Sequence, residues 1–183
     1  MRRALDIGAG IGRVTRSVLL PVLGPTSLVD MVEPASGFVN AAQEASGQWK
    51  GKIQIWQMGI QEFWNQRNKY DVIWCQWVLG HLTDDEFIEF FSRASEELVG
   101  NDEGEPGLIV VKENVCEGEG CVYDEVDGSV TRSDAVFRKL FDLSGLVLVR
   151  QDVQLGFPSE LFRVNLYALE RPKSITKNHQ SLK

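Results

Sequence analysis

Three glycines at alternate positions follow a short apolar run near the start of the chain. Residues 4–7 form the run, and Gly8, Gly10 and Gly12 come after it. Glycine lets a turn approach a ligand closely, because it has no Cβ to clash. Residues 14–23 are typical of a helix, whose free N–H groups and positive dipole end would face that ligand. The spacing therefore predicts a site for a nucleotide-like cofactor.

Two kinds of cofactor loop compete for this spacing. The dinucleotide fingerprint G-x-G-x-x-G requires a third glycine at the position of Arg13. The spacing G-x-G-x-G is instead similar to the cofactor loop of S-adenosylmethionine methyltransferases. The glycines alone also fit a plain tight turn, so the rest of the chain has to decide.

Two charged residues fit a cofactor of the methyltransferase kind. Glu33 ends the second predicted strand, where a carboxylate could accept hydrogen bonds from two ribose hydroxyls. Arg13 begins the helix, where a cation opposes the helix dipole unless an anion such as the cofactor's carboxylate lies beside it. Each residue could also be a solvated surface charge.

Composition narrows the class of protein. The length of 183 residues is suited to one domain. The chain has 19 basic and 26 acidic residues and therefore a net charge of -7. An acidic domain argues against a nucleic-acid partner and favours a cationic substrate. Three cysteines indicate a reducing compartment, and with only two histidines we expect no metal site. Without a signal peptide or an apolar run of about 18 residues, we expect an intracellular protein with no membrane partner.

Strands and helices alternate along most of the chain. This alternation predicts an α/β fold with a mostly parallel sheet and helices on both faces. The last two strands have no helix between them and should form an antiparallel hairpin. Residues 113–132 are predicted to be a long acidic loop, and residues 171–183 a disordered tail. The predicted strands cover residues 4–7, 27–33, 52–57, 70–76, 107–112, 146–153 and 162–169, and the predicted helices cover 14–23, 36–45, 83–98 and 133–143.

Local signals set several helix ends. Ser36 and Ser133 are predicted N-caps, and Thr83 with Glu86 forms a predicted capping box. Ligands of such folds bind at the carboxyl ends of the strands. That rule brings four polar or glycine positions to one rim: Gly8, Glu33, Gln76 and Asn114.

Longer segments carry a more specific resemblance. The chain resembles the protein N-terminal methyltransferases, which use S-adenosylmethionine to methylate the α-amine of Xaa-Pro-Lys or Xaa-Pro-Arg termini. The resemblance covers residues 4 to 169 and implies a Rossmann-like class I methyltransferase domain over 1–170, with a seven-stranded sheet. The segments are ALDIGAGIGR at 4–13, VDMVEP at 29–34, GIQEF at 59–63, DVIWCQWVLGHLTD at 71–84, IVVKEN at 109–114, DEVDGSVTRSD at 124–134 and FPSELFRVNLYAL at 157–169.

The resemblance also implies roles for individual residues. The implied cofactor contacts are Gly8, Gly10, Arg13, Glu33, Ile60, Gln61 and Gln76. The implied substrate contacts are Trp77, His81, Asn114, Asp124, Asp127 and Ser129. Family members often carry Asp in place of Glu33, which preserves the ribose role. They can carry Tyr in place of Phe162, so one substrate hydrogen bond is missing here.

The chemistry of methyl transfer agrees with those roles. The acceptor amine needs a free lone pair, and a free α-amino group has a pKa of about 7.7–8.0. Asp127 and His81 are the candidates to accept its proton. The indole of Trp77 would stabilise a cationic amine, and Asp124 would attract a basic third residue of the substrate. From the residues alone, Trp77 also fits a core residue, and Asp127 also fits an acid in a surface turn.

Two alternatives stay open. Relatives carry a helical lid before the glycine strand, whereas this chain begins at Met1, directly before it. We therefore also consider a truncated, weakly active or inactive domain that binds cofactor or a partner. A methyltransferase for a nucleic acid or small molecule is disfavoured, because Gln76-Trp77-Val78 replaces the proline motif that such enzymes commonly carry after the fourth strand. We expect a monomer in the cytoplasm, with the nucleus as a second location to consider.

Overall fold

The computed structural model describes residues 2–63, 68–100 and 105–172. Most of its strands form one seven-stranded sheet, and two more form a separate hairpin. Of the predicted tail at 171–183, residues 173–183 lie outside the described residues. The strands are β1 (Arg3–Ile7), β2 (Leu28–Val32), β3 (Ile53–Trp56), β4 (Val72–Gln76), β5 (Leu108–Val115), β6 (Cys121–Tyr123), β7 (Val130–Arg132), β8 (Val147–Val153) and β9 (Arg163–Glu170). The α-helices are α1 (Leu20–Leu23), α2 (Ser36–Ala45), α3 (Asp84–Glu97) and α4 (Asp134–Leu143).

The sheet has the order β3-β2-β1-β4-β5-β9-β8. The first five strands in this order are parallel, and β9 lies between β5 and β8 and is antiparallel to both. The predicted parallel sheet and closing hairpin are therefore confirmed. Chain order reverses between β1 and β4, where Ile7 pairs with Cys75. Ligands of open α/β sheets bind at such a switch point, beyond the carboxyl ends of the strands.

Helices cover both faces of the sheet, as predicted. Alternation along β1 sends Leu5 to one face and Ala4 to the other. The Leu5 face packs against α3 and α4, and the Ala4 face packs against α1 and α2. The phenylalanines of the larger core on the Leu5 face are Phe63, Phe87, Phe90, Phe91, Phe137 and Phe141.

Two predicted helix caps are confirmed and one is wrong. Thr83 Oγ1 accepts a hydrogen bond from Glu86 N at 3.3 Å, while Glu86 Oε2 accepts from Thr83 N at 2.8 Å. Ser133 Oγ accepts from Val136 N at 3.3 Å. In α2, however, Ser36 is already helical and Ala35 is the N-cap. The side chain of Glu33, two residues earlier, accepts the N–H of Ala35 instead.

The predicted acidic loop over 113–132 is wrong in two respects. β5 continues to Val115, and the next residues form the hairpin of β6 and β7, in which Cys121 pairs with Arg132. Both hairpin strands are only three residues long, so acids and glycines mask their β-branched and aromatic residues in the sequence.

The helix that follows the glycine loop is irregular. Its residues Thr15–Leu19 form a π-helical segment that leads directly into α1. The carboxylate of Asp6 accepts hydrogen bonds from Thr15 N at 3.1 Å and from Thr15 Oγ1 at 2.6 Å. Burial raises the pKa of Asp6 to about 6, although the hydrogen bonds from Thr15 act to lower it. Asp6 thus ties the end of β1 to the helix.

Within the described residues, no helix is both long and apolar enough to span a bilayer.

Candidate functional site

The glycine loop is attached to the end of β2 by hydrogen bonds. Gly8 N and Ala9 N donate to Val32 O at 3.0 and 3.1 Å. Glu33 is buried, and its two carboxylate oxygens accept from Gly10 N and Ala35 N, each at 2.9 Å. Each oxygen keeps acceptor capacity for a further donor such as a hydroxyl. Glu33 therefore fits both a structural role in the loop and the predicted ribose contact.

Two loop glycines are required for different reasons. Gly8 has φ +65°, and a Cβ there would lie 2.8 Å from Val78 Cβ. Gly10 has φ +55°, and a Cβ there would meet no protein atom within 4 Å. The backbone at Gly8 is thus packed against the segment after β4, whereas Gly10 faces the open side of the loop.

The other predicted cofactor contacts lie at three places in the structure. Arg13 is exposed in the first turn of the helix. Gln76 ends β4 half-buried, and its Oε1 accepts from Trp74 Nε1 at 3.3 Å. Ile60 and Gln61 line a cavity of about 220 Å³ against α3. Ile60 is buried in the core, so it can offer a ligand only one edge, whereas Gln61 is exposed.

Five of the predicted catalytic and substrate residues share a second cavity. This cavity has a volume of about 230 Å³ and is formed by the ends of β4 and β5, a 3₁₀ turn at Leu79–His81, and the hairpin of β6 and β7. Trp77 Nε1 donates to Asn114 Oδ1 at 3.2 Å, so the indole and the amide that line the cavity contact each other. The predicted residues lining it are Trp77, His81, Asn114, Asp127 and Ser129.

Trp77 is held in an uncommon backbone conformation. Among the residues that the structure describes, it is the only non-glycine residue with positive φ, at 53°. Its side chain is 43% exposed, so the alternative of a core residue does not apply. Lys112 Nζ lies 5.4 Å from the ring centroid, which shows that the indole face can hold a cation. Strained backbone of this kind clusters at functional sites.

Asp127 and His81 both line this cavity but belong to different elements. His81 ends the 3₁₀ turn and is exposed, while Asp127 is an exposed residue of the hairpin turn. Asp127 Oδ1 accepts from Ser129 N at 2.8 Å. The hydrogen bonds from Ser129 and, more weakly, the charge of His81 lower the pKa of Asp127 below its usual value. Asp127 is therefore ionised at neutral pH and suits the stabilisation of a cation better than the uptake of a proton.

Two predicted substrate residues lie elsewhere. Asp124 is exposed in the hairpin turn, its Oδ1 accepts from Val126 N at 2.8 Å, and it does not line the 230 Å³ cavity. Phe162 is 43% exposed in a larger cavity of about 830 Å³, together with Phe157 and Leu161. The structure therefore does not bring Phe162 into the cavity of Trp77.

One buried acid at the site was not predicted. Glu113 lies on β5 with only 6% of its surface exposed and lines the 230 Å³ cavity. Burial raises its pKa to about 7, although hydrogen bonds from Leu79 N and Val78 N and the charge of Arg132 act in the opposite direction. In the sequence, the only signal is an acid between the apolar residues Val111 and Val115 at alternate positions of the strand.

Across the described part of the chain, no cluster of three or more His, Cys, Asp or Glu side chains could bind a metal ion.

Comparison with known proteins identifies the family. Residues 1–170 match the model of a family described as AdoMet dependent proline di-methyltransferase. The chain belongs to this family. It is 42% identical over 170 residues to "Alpha N-terminal protein methyltransferase 1" of Arabidopsis thaliana, and 41% identical over 167 residues to "N-terminal Xaa-Pro-Lys N-methyltransferase 1" of Danio rerio. These matches cover 91% of this chain, and 58% and 71% of the two relatives.

Solved structures of methyltransferases share the fold of this proline methyltransferase family member. A SAM-dependent methyltransferase of Leishmania major superposes with a TM-score of 0.79 at 32% identity, covering 93% of this chain and 65% of that one. The chain thus spans less than two thirds of the length of the plant relative and of this structure. An N-methyltransferase of Burkholderia thailandensis reaches a TM-score of 0.77 at 16% identity and so shares the fold alone.

The loop residues fit the family's cofactor, S-adenosylmethionine. Gly10 leaves the space at its Cβ position open, and both oxygens of Glu33 can accept further hydroxyl donors. Arg13 supplies a cation for a carboxylate in the first turn of the helix. The donor set is therefore suited to a sulfonium nucleoside with an amino-acid end.

Proposed function

We propose that this protein methylates the α-amine of protein N-termini that begin Xaa-Pro-Lys or Xaa-Pro-Arg, with S-adenosylmethionine as donor. The observation that supports this most strongly is the close approach of Gly8 to Val78. Gly8 opens the cofactor loop, and Val78 follows Trp77 at the wall of the 230 Å³ cavity. Donor loop and acceptor cavity are therefore neighbours at one rim of the sheet, as an in-line transfer requires.

The reaction is a displacement at carbon. S-adenosylmethionine, when bound, supplies a methyl group on a positively charged sulfur that leaves as a thioether. The chain must present the amine nitrogen without its extra proton and aligned with that methyl group. The new N–C bond forms as the S–C bond breaks, so the positive charge passes from sulfur to nitrogen, and the methylated amine stays cationic until it releases a proton.

His81 and Asp127 divide the work on the amine. We infer that His81 accepts the proton of the ammonium group, because a neutral imidazole is a base at neutral pH. Asp127, whose pKa is lowered, stays ionised and attracts the cationic amine and the charged imidazole. Asp127 remains an alternative acceptor, since both groups line the same cavity.

The remaining walls suit the first residues of a basic peptide. Trp77 offers an indole face to the terminal amine and proline, and Asn114 offers an amide to the peptide backbone. Asp124 lies beyond the cavity, toward the tip of the hairpin, in a chain with a net charge of -7. With the first two residues of the substrate peptide inside the cavity, a Lys or Arg at its third position would therefore lie against the acidic surface outside it.

A pair of peptides tests the identity of the acceptor. We expect a peptide with a free Xaa-Pro-Lys terminus to be methylated and its N-acetylated twin to be inert, because an amide nitrogen has no available lone pair. Mass spectrometry after incubation with S-adenosylmethionine measures both. Equal methylation of the two peptides would show that a side chain, not the α-amine, is the acceptor.

A further inference from the structure

We propose that Glu113 and Arg132 are positioning residues for methyl transfer, which act by holding both ends of the turn at residues 77–82. This inference rests on the proposed function, since that turn carries Trp77 and His81. Both charged residues are buried, with 6% and 1% of their surfaces exposed. Neither is among the residues that the sequence marks for chemistry.

Glu113 holds the N–H end of the turn. Its Oε1 accepts hydrogen bonds from Val78 N and Leu79 N, both at 2.9 Å. Successive N–H groups after a left-handed residue, here Trp77, form a concave site for an anion. A negative charge at the beginning of a helical turn also complements the positive end of its dipole. The carboxylate of Glu113 therefore stabilises the conformation in which Trp77 is strained.

Arg132 holds the C=O end of the same turn. Its guanidinium donates to Leu79 O at 3.0 Å and to Leu82 O at 2.6 Å. It also pairs with Asp84 Oδ1 at 2.8 Å and lies 5.3 Å from the ring centroid of Phe87. A cation at the end of a helical turn complements the negative end of its dipole. The two buried charges thus match the polarity of the turn that lies between them.

The neighbours of the turn leave it little freedom to shift. Trp77 N donates to Lys112 O at 3.2 Å, so β5 fixes the backbone before the turn as well. A Cβ at Gly80 would lie 3.2 Å from Val130 O on β7. The turn is therefore wedged between β5 and the hairpin. If one charged partner is lost, Trp77 can relax from its left-handed conformation, and His81 moves with it.

Variants at both ends of the turn test this inference. We expect Glu113→Leu to lower kcat on an Xaa-Pro-Lys peptide about 10²-fold, the cost of a catalytic group misplaced by about 1 Å. Glu113→Gln should retain most activity, because its amide oxygen can still accept both N–H groups. Arg132→Lys should lose activity, because an ammonium group cannot reach the same acceptors as the guanidinium fork. Glu44→Gln, at an exposed position of α2, is the matched control.

A spectroscopic measurement separates positioning from general destabilisation. In the two-dimensional NMR spectrum, the imidazole C–H signals of His81 should move in Glu113→Leu and Arg132→Lys and stay in place in Glu44→Gln. His81 and His179 are the only histidines of the sequence, so assignment is direct. The affinity for S-adenosylmethionine, measured by calorimetry, should not change in any of these variants.

Each outcome decides the matter. Parent-like turnover in folded Glu113→Leu, or equal damage by Gln and Leu, would overturn the positioning role. If Glu113→Leu does not fold in a thermal melt, Arg132→Lys and Glu113→Gln decide by the same criteria. If the parent protein transfers no methyl group, the proposed function fails by itself. The His81 signals then decide whether the two charges hold the turn: moved signals support it, and unmoved signals overturn it.

Discussion

Replacing Gly8 with valine is expected to abolish the binding of S-adenosylmethionine. A Cβ at this position would lie 2.8 Å from both Cβ and Cγ2 of Val78, and φ of +65° disfavours a β-branched residue. The loop would have to move away from β4, which would pull Gly10 N from its 2.9 Å hydrogen bond with Glu33. Calorimetric titration of the folded variant measures the loss.

A matched glycine controls for the cost of positive φ. Gly145 ends α4 with φ +72°, and a Cβ there would meet no atom within 4 Å. Gly145→Val should therefore show a comparable backbone strain and keep parent affinity for the cofactor. Folded Gly8→Val with unchanged affinity would rule out the glycine loop as the cofactor site.

Replacing Asp127 with asparagine is expected to lower turnover by about 10²-fold with little change in cofactor affinity. Asparagine removes the negative charge that attracts the cationic amine, and we expect the lower end of the about 10²–10⁴-fold range typical of a lost catalytic side chain, because His81 still accepts the proton. Asparagine can still accept the hydrogen bond from Ser129 N, so the hairpin turn is preserved. Single-turnover methylation is the assay, and Asp142→Asn on the exposed side of α4 is the control.

The pH profile assigns the two roles. Because the pKa of Asp127 is lowered, its carboxylate is ionised throughout pH 6–9, and Asp127→Asn should reduce the rate by the same factor across that range. Any dependence of the rate on pH that remains is then not due to Asp127, and replacing His81 should change the shape of the profile. A double variant should be less than additive. Full activity of both single variants would mean that the amine arrives already neutral.

Much of the fold could be predicted because its signals are local. Strand and helix alternation, the capping box at Thr83 and the N-cap at Ser133 each act within a few residues. The glycine loop and Glu33 could be assigned to one rim because parallel strands share a carboxyl edge. These features needed no knowledge of tertiary packing.

The parts that could not be predicted depend on non-local contacts. Glu113 and Arg132 meet the turn from β5 and β7, 34 and 53 residues from Leu79 in sequence. The packing of Gly8 against Val78 likewise joins two segments that are far apart in sequence. The left-handed backbone of Trp77 directly precedes the turn that those contacts hold. Residue type alone indicates none of them.

The proposed activity is tested most directly by incubating the protein with a synthetic Xaa-Pro-Lys peptide and S-adenosylmethionine as the only methyl donor. Mass spectrometry then measures methyl transfer to the peptide. We expect the free terminus to gain one or more methyl groups, with one S-adenosylhomocysteine formed for each methyl group transferred. Intrinsic tryptophan fluorescence, titrated with cofactor in parallel, measures binding independently. Saturable binding with no methyl group gained would contradict the account and would leave a cofactor-binding domain without this activity.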